Sequence, residues 1–166
     1  MKHNSINVLI LGSGGREHAI AWKIKQSPFL NKIFVAPGNS GTSNIATNIN
    51  INISNYSNIK NTIIDHKIHI VIVGPEDPLV YGLHNMCKND KDISNVIVIG
   101  PKKEGALLEG SKSFAKKFMQ KNKIPTAKYE KFEAKNIKPA KSYLKKMSPP
   151  YVIKVDGLAA GKGVFI

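Results

Sequence analysis

Val8 to Leu11 is an unbroken apolar run that leads into Gly12-Ser13-Gly14-Gly15 and then into a segment whose Ala19, Ile20 and Ile24 fall on one side of a helix. A short apolar run suits a strand buried on both faces of a parallel sheet. Strand, glycine turn and helix start aim free backbone N–H groups, and the positive end of a helix dipole, at an anion. The segment predicts an α/β fold with a phosphorylated ligand at its first turn.

That ligand is not well matched by a dinucleotide. Gly12 and Gly14 fit the first two glycines of G-x-G-x-x-G, but the third position is Glu17, whose carboxylate would repel a pyrophosphate. The next strand, Ile33 to Ala36, runs into Pro37-Gly38 instead of the acidic residue that grips an adenosine ribose. Arg16 supplies a planar fork matched to phosphate, and Glu17 beside it can hold a hydroxyl or an amine. A small sugar phosphate with a polar substituent fits both.

Pro28 ends the first helix, and Lys32 to Ala36 reads as the second strand. The loop Pro37 to Thr42 groups glycines, an amide and hydroxyls where an α/β sheet keeps its ligand loops, so it reads as a turn or a substrate contact. Ile49, Ile51 and Ile53 alternate with asparagines, which predicts an edge strand with one wet face. Ser54 is placed to cap a helix bearing Ile59 and Ile63. Ile68 to Val73 is a strand closed by GPEDPL, Gly74 to Leu79, whose Glu76 and Asp77 serve equally as helix caps or as ribose contacts. A helix beginning at Leu79 to Met86 and a strand at Val96 to Ile99 complete five strands of a doubly wound parallel-sheet domain over residues 1–101.

From residue 102 the character changes. The net charge of +14 is distributed as +3 up to Gly100 and +11 after it, and the excess is lysine without interleaved aromatics. This favours solvated helix faces over a nucleic-acid surface. The single arginine of the chain is Arg16, in the glycine loop. Ser111 reads as the N-cap of a basic amphipathic helix with Phe114 and Phe118 four apart, and Lys112 in its first turn opposes the dipole, which an anionic ligand there would explain. Lys128 to Phe132 and Tyr151 to Val155 read as strands and Pro139 to Lys146 as a short helix. Asp156 to Val164, DGLAAGKGV, lacks Walker A spacing, yet a small-residue hairpin bearing Lys162 suits a polyphosphate. The lone Cys87 has no disulfide or metal partner in the pattern, no stretch reaches membrane-spanning length, and no secretory signal opens the chain, so the cytoplasm is expected.

LGSGGREHAIAWK, VAPGNSGT, VGPEDPLV, LLEGSKSFAK and YVIKVDGLAAGKGV, in this order and spacing, closely resemble the phosphoribosylamine–glycine ligases, a purine-biosynthesis family of the ATP-grasp superfamily. The resemblance implies that the doubly wound domain is followed by the start of an ATP-grasp domain over residues 102–166, truncated at Ile166. It also implies an ATP-dependent carbon–nitrogen ligase acting on 5-phosphoribosylamine, glycine and ATP, without nucleic-acid or membrane partners. Gly14, Gly15, Arg16 and Glu17 would form the phosphoribosylamine site, with Asn39, Gly41, Thr42 and Glu76 near it. Lys112 and Lys154, with Gly157, Leu158, Ala159, Ala160, Gly161, Lys162 and Gly163 of the glycine-rich loop, would contact ATP. Ligands for Mg are expected beyond Ile166, and the 166-residue chain alone is expected to be inactive as a ligase. A non-catalytic ribose-phosphate-binding remnant and a different ATP-grasp ligase are the alternatives.

Overall fold

The computed structural model of the chain describes residues 5–159 and 162–166. It divides into two compact units, Met1–Ala106 and Leu107–Ile166. The first unit runs β1 (Ile6–Gly12), α1 (Gly15–Ile24), β2 (Leu30–Pro37), α2 (Ser40–Ser43), β3 (Thr47–Asn48), α3 (Tyr56–Asp65), β4 (Ile70–Val73), α4 (Asp77–Tyr81), α5 (Leu83–Asn89) and β5 (Ile97–Ile99). Its five strands form one sheet in the order β3-β2-β1-β4-β5, with every pairing parallel. This is the doubly wound sheet expected from the apolar runs.

Val8 to Leu11 explain why β1 is central. All four side chains are buried, and successive ones point to opposite faces. Val8 and Ile10 pack with Ile33, Val35 and Ala21 of α1 on one face. On the other, Leu9 and Leu11 pack with Phe34, Val71, Val98, Ile59 and Ile63 of α3 and Leu83 and Cys87 of α5. Each such aliphatic side chain stabilises the fold by about 1.5–3 kcal/mol relative to exposure. Tyr56 of α3 reaches Asp90 after α5, donating its hydroxyl at 2.8 Å, and Lys60 pairs with the same carboxylate at 2.8 Å. These bonds, Lys60's first and Tyr56's second, hold the Asp90 carboxyl below its ordinary value.

The expected strand through Ile49, Ile51 and Ile53 is instead the two-residue β3, one step earlier. Ile49 N makes the last ladder-like bond to Val35 O at 2.9 Å, and Ile51 N then turns back to Ile49 O at 3.0 Å, so the chain leaves the sheet. The three isoleucines still pack against the α3 and α5 core. Asn55, not Ser54, caps α3, accepting from Ser57 N at 2.9 Å. The helix expected from Leu79 is two helices, α4 and α5, broken at Gly82, where φ is +99°.

α6 (Lys103–Gly110) spans the division between the units, and the second unit continues with α7 (Lys112–Lys121), α8 (Ile137–Leu144), β6 (Ile153–Lys154) and β7 (Val164–Phe165). Ser111 caps α7 as expected, accepting from Phe114 N at 3.2 Å. Lys128 to Phe132 pairs with no strand among the described residues, since β6 and β7 pair only with each other. Described residues 111–166 include no buried side chain, and Val152, Ile153, Val155, Val164 and Phe165 are exposed. No helix among the described residues is long and apolar enough to cross a membrane.

Candidate functional site

Parallel pairing brings three loops to one edge of the first unit's sheet. β1 ends at Gly12 beside Pro37 of β2, and Leu11 stands beside Val73 of β4. Gly38 N donates to Gly12 O at 3.1 Å and Gly74 N to Leu11 O at 3.0 Å, so all three loops leave the sheet at one level. This is the carboxyl end of the strands, beside the β1/β4 switch in strand order, the position at which open α/β sheets bind ligands.

The glycine loop is braced from within. Glu17 is 5% exposed and lies back over the turn, where its Oε2 accepts from Gly14 N at 2.6 Å. A Cβ at Gly12 would come within 2.6 Å of Glu17 Cδ, and one at Gly74 would overlap Glu17 Oε1, so both glycines make room for this carboxylate. Glu17 therefore braces the loop from within through Oε2. Arg16 is exposed and donates Nη1 to Gly74 O, tying the first loop to the third and leaving four other guanidinium N–H groups. Gly15 and Arg16 open α1, so their N–H groups have no partner within the helix. A Cβ at Gly15 would meet nothing within 4 Å, which leaves open space at this first turn.

The second loop reaches the first through Asn39. Its Nδ2 donates to Ser13 O at 2.8 Å and Gly14 O at 3.3 Å, while its Oδ1 accepts from Thr42 N at 2.9 Å. Thr42 is fully buried and accepts from Asn39 N at 2.8 Å, so it shapes the loop from inside. Gly41 lies against the edge of the His18 ring, where a Cβ would be 2.9 Å from Cε1 and Nδ1. In the third loop Glu76 is half-buried, and its carboxylate makes no hydrogen bond or ion pair among the described residues. Gly14, Gly15, Arg16, Glu17, Asn39, Gly41, Thr42 and Glu76 thus share one sheet edge, with Arg16 and Glu76 presenting unspent charge.

In the second unit the glycine-rich segment is docked by its first residue. Asp156 accepts from Ser113 Oγ at 2.6 Å, Ser113 N at 3.1 Å, Ser111 Oγ at 3.2 Å and Gly157 N at 3.1 Å, and pairs with Lys131 at 3.2 Å. Partial burial pushes this carboxyl up, but the Ser113, Lys131 and Ser111 bonds outweigh burial and hold it well below the usual carboxylate range. Asp156 thus sets a carboxylate at the start of α7, where it accepts from the Ser113 N–H. Lys112 Nζ donates to Gly157 O at 2.7 Å, while Lys154 and Lys162 are exposed with no side-chain partner among the described residues. Val155 N donates to Gly163 O at 2.8 Å and Lys162 N to Ala159 O at 2.7 Å, and Leu158 and Ala159 are half-buried. Ala160 and Gly161 lie outside the described residues.

His18, Asn48, Ser113, Lys131 and the docking role of Asp156 carry no motif of their own in the sequence. Their partners are up to 45 positions away, so the available signal was composition: an asparagine breaking an isoleucine pattern, a serine after a capped lysine. Cys87 is fully buried, and burial pushes its thiol up to about 11, which makes it an inert core residue.

The N-domain model of the phosphoribosylglycinamide synthetase family matches residues 6–109, and the model of that family's ATP-grasp (A) domain matches residues 110–166. The chain is 45% identical over 163 residues to a phosphoribosylamine–glycine ligase of Haemophilus influenzae, covering 97% of this chain and 37% of the relative. It is 50% identical over 161 residues to one from Fusobacterium nucleatum, covering 97% of this chain and 36% of the relative. The crystal structure of a phosphoribosylamine–glycine ligase from Thermotoga maritima superposes with a TM-score of 0.71 at 37% identity, over 96% of this chain and 35% of that one. The chain therefore spans a little over a third of the length of the relatives it matches. With both family models aligned end to end on it, the chain belongs to the phosphoribosylglycinamide synthetase family.

Proposed function

We propose that the chain supplies the sugar-phosphate site and the first ATP-facing segment of a phosphoribosylamine–glycine ligase working in the cytoplasm. In that reaction ATP phosphorylates the glycine carboxylate, giving glycyl phosphate and ADP. The amine of 5-phosphoribosylamine then attacks the acyl carbon, and phosphate leaves as the amide forms. Such chemistry needs oriented reactants and neutralised phosphate charge, and no side-chain nucleophile.

The observation that carries this reading is the junction of three loops at the sheet edge. The Gly15 and Arg16 N–H groups and the Arg16 guanidinium suit a 5′-phosphate, and the unspent Glu76 carboxylate suits a ribose hydroxyl. In the second unit Lys112, Lys154 and Lys162, with the Gly157–Gly163 backbone, suit the ATP phosphates, Lys112 exchanging Gly157 O for a phosphate oxygen. Among the described residues no cluster of His, Cys, Asp and Glu side chains fits the Mg that accompanies ATP. Asp156, the one carboxylate of the glycine-rich segment, is committed to its own donors, so no step is assigned through the metal.

Calorimetric titration of this chain tests the reading. Ribose 5-phosphate binds more tightly than ribose, and Arg16→Ala weakens the phosphate ligand roughly 10- to 100-fold, the equivalent of losing hydrogen bonds to a charged group. Equal binding of ribose and ribose 5-phosphate, or an unchanged affinity in Arg16→Ala, would refute it.

A further inference from the structure

We infer that Asn48 is a positioning residue of the sugar-phosphate site: it holds the Pro37–Thr42 loop in the shape that lets Asn39 reach the glycine loop. This rests on the reading of that sheet edge as a sugar-phosphate site. Asn48 ends β3 and projects its amide under the loop, where Oδ1 accepts from Thr42 Oγ1 at 2.8 Å and Nδ2 donates to Asn39 O at 2.8 Å.

Donor counting fixes the orientation. Asn39 O can only accept, so the group facing it is the Asn48 NH2, and the Asn48 oxygen faces the Thr42 hydroxyl. That hydroxyl has one proton. It lies 2.9 Å from Asn39 O and 2.8 Å from Asn48 Oδ1. Asn39 O already accepts from Asn48 Nδ2 and from Ser43 N at 3.1 Å, so the proton goes to Asn48. The Thr42 lone pair is thereby left to accept from Asn39 N, which closes the loop on itself.

The loop is built around this amide. Gly38 has φ of +75°, and a Cβ there would overlap the Asn48 carboxamide, so residue 38 is confined to glycine both by conformation and by Asn48. Asn48 thus grips Asn39 by its carbonyl, and Asn39 in turn grips Ser13 and Gly14 by its side chain. Asn48 is half-buried, beneath the loop that faces the ligand. Its effect on a ligand passes through Asn39.

The test uses this chain, ribose 5-phosphate as probe, and Asn48→Ala and Asn48→Asp variants. Asn48→Ala removes both bonds, and ribose 5-phosphate affinity falls about tenfold at a temperature where the variant is fully folded. Asn48→Asp keeps the acceptor for Thr42 but sets a carboxylate oxygen against Asn39 O, and it binds no better than Asn48→Ala. The second readout is amide exchange at Thr42 and Asn39, which quickens about tenfold in Asn48→Ala while exchange in β1 is unchanged. A variant that only lost stability would quicken exchange throughout and keep its affinity while folded, and that result overturns the inference. Wild-type chain that fails to bind ribose 5-phosphate refutes the site reading instead. The role of Asn48 in shaping the loop is then decided by the exchange data: selective quickening supports it and unchanged rates overturn it.

Discussion

A methyl group on Gly41 would stand 2.9 Å from two ring atoms of His18 and 3.2 Å from Asn39 Oδ1. These spacings are too close for a side chain to accept without moving its neighbours. Gly41→Ala is expected to cost about 1–3 kcal/mol, the usual penalty for overpacking. Removing the ring in His18→Ala, Gly41→Ala should recover most of that loss, because the larger part of the clash is with His18. Urea midpoints of the two singles and the double measure the coupling; a double mutant no more stable than Gly41→Ala would show that the ring is not the obstacle. The same scale shows what the chain disclosed of the site. Arg16 was legible as the sole arginine set in a glycine turn. Glu17 was legible as part of the site, but its role was not, because a carboxylate that folds back over three glycines looks in one dimension like a carboxylate offered to a ligand. Asn48 was hidden in an isoleucine–asparagine alternation that read only as strand.

At the scale of elements, local pattern was a good guide wherever neighbours in sequence are neighbours in space. Strands β1, β2, β4 and β5 follow from apolar runs, and the Ser111 cap from a serine ahead of an amphipathic helix. The pattern failed at β3, at Lys128 to Phe132 and around Asp156, where structure depends on pairing between distant segments. The start of α7 illustrates this: the Ser113 N–H there is taken by Asp156, 43 positions further along the chain. Because the folded Asp156 carboxyl titrates below its ordinary value of 3.8, the stability it adds is complete above that pH and is lost as pH falls from 3.8 toward its lowered value. The Ser113 amide resonance should therefore move only in that acidic window, and should not move there in Asp156→Asn. A Ser113 shift centred at an ordinary carboxylate pKa would contradict the docking.

On the scale of the whole molecule the two units differ in what holds them. The first has a two-sided sheet core, and the second has helices whose apolar residues are half-buried or exposed and a two-stranded pair whose apolar residues are exposed. Hydrogen exchange should therefore be slowest in β1, β2 and β4, and faster by at least about a hundredfold in α7, α8, β6 and β7. Equal protection in both units would mean that the second carries a core of its own. Family membership was legible from five ordered motifs. The division of labour between the units was not, since burial depends on what each face packs against.

On the proposed reading, one sheet edge of the first unit binds a ribose phosphate. The most direct measurement is a backbone resonance titration of the chain with ribose 5-phosphate. Shifts are expected at Ser13 to Glu17, Asn39 to Thr42 and Gly74 to Glu76, and none at the opposite edge around His66 and His69. Absence of shifts at saturating ligand, or shifts confined to the lysine-rich helices of the second unit, would contradict it.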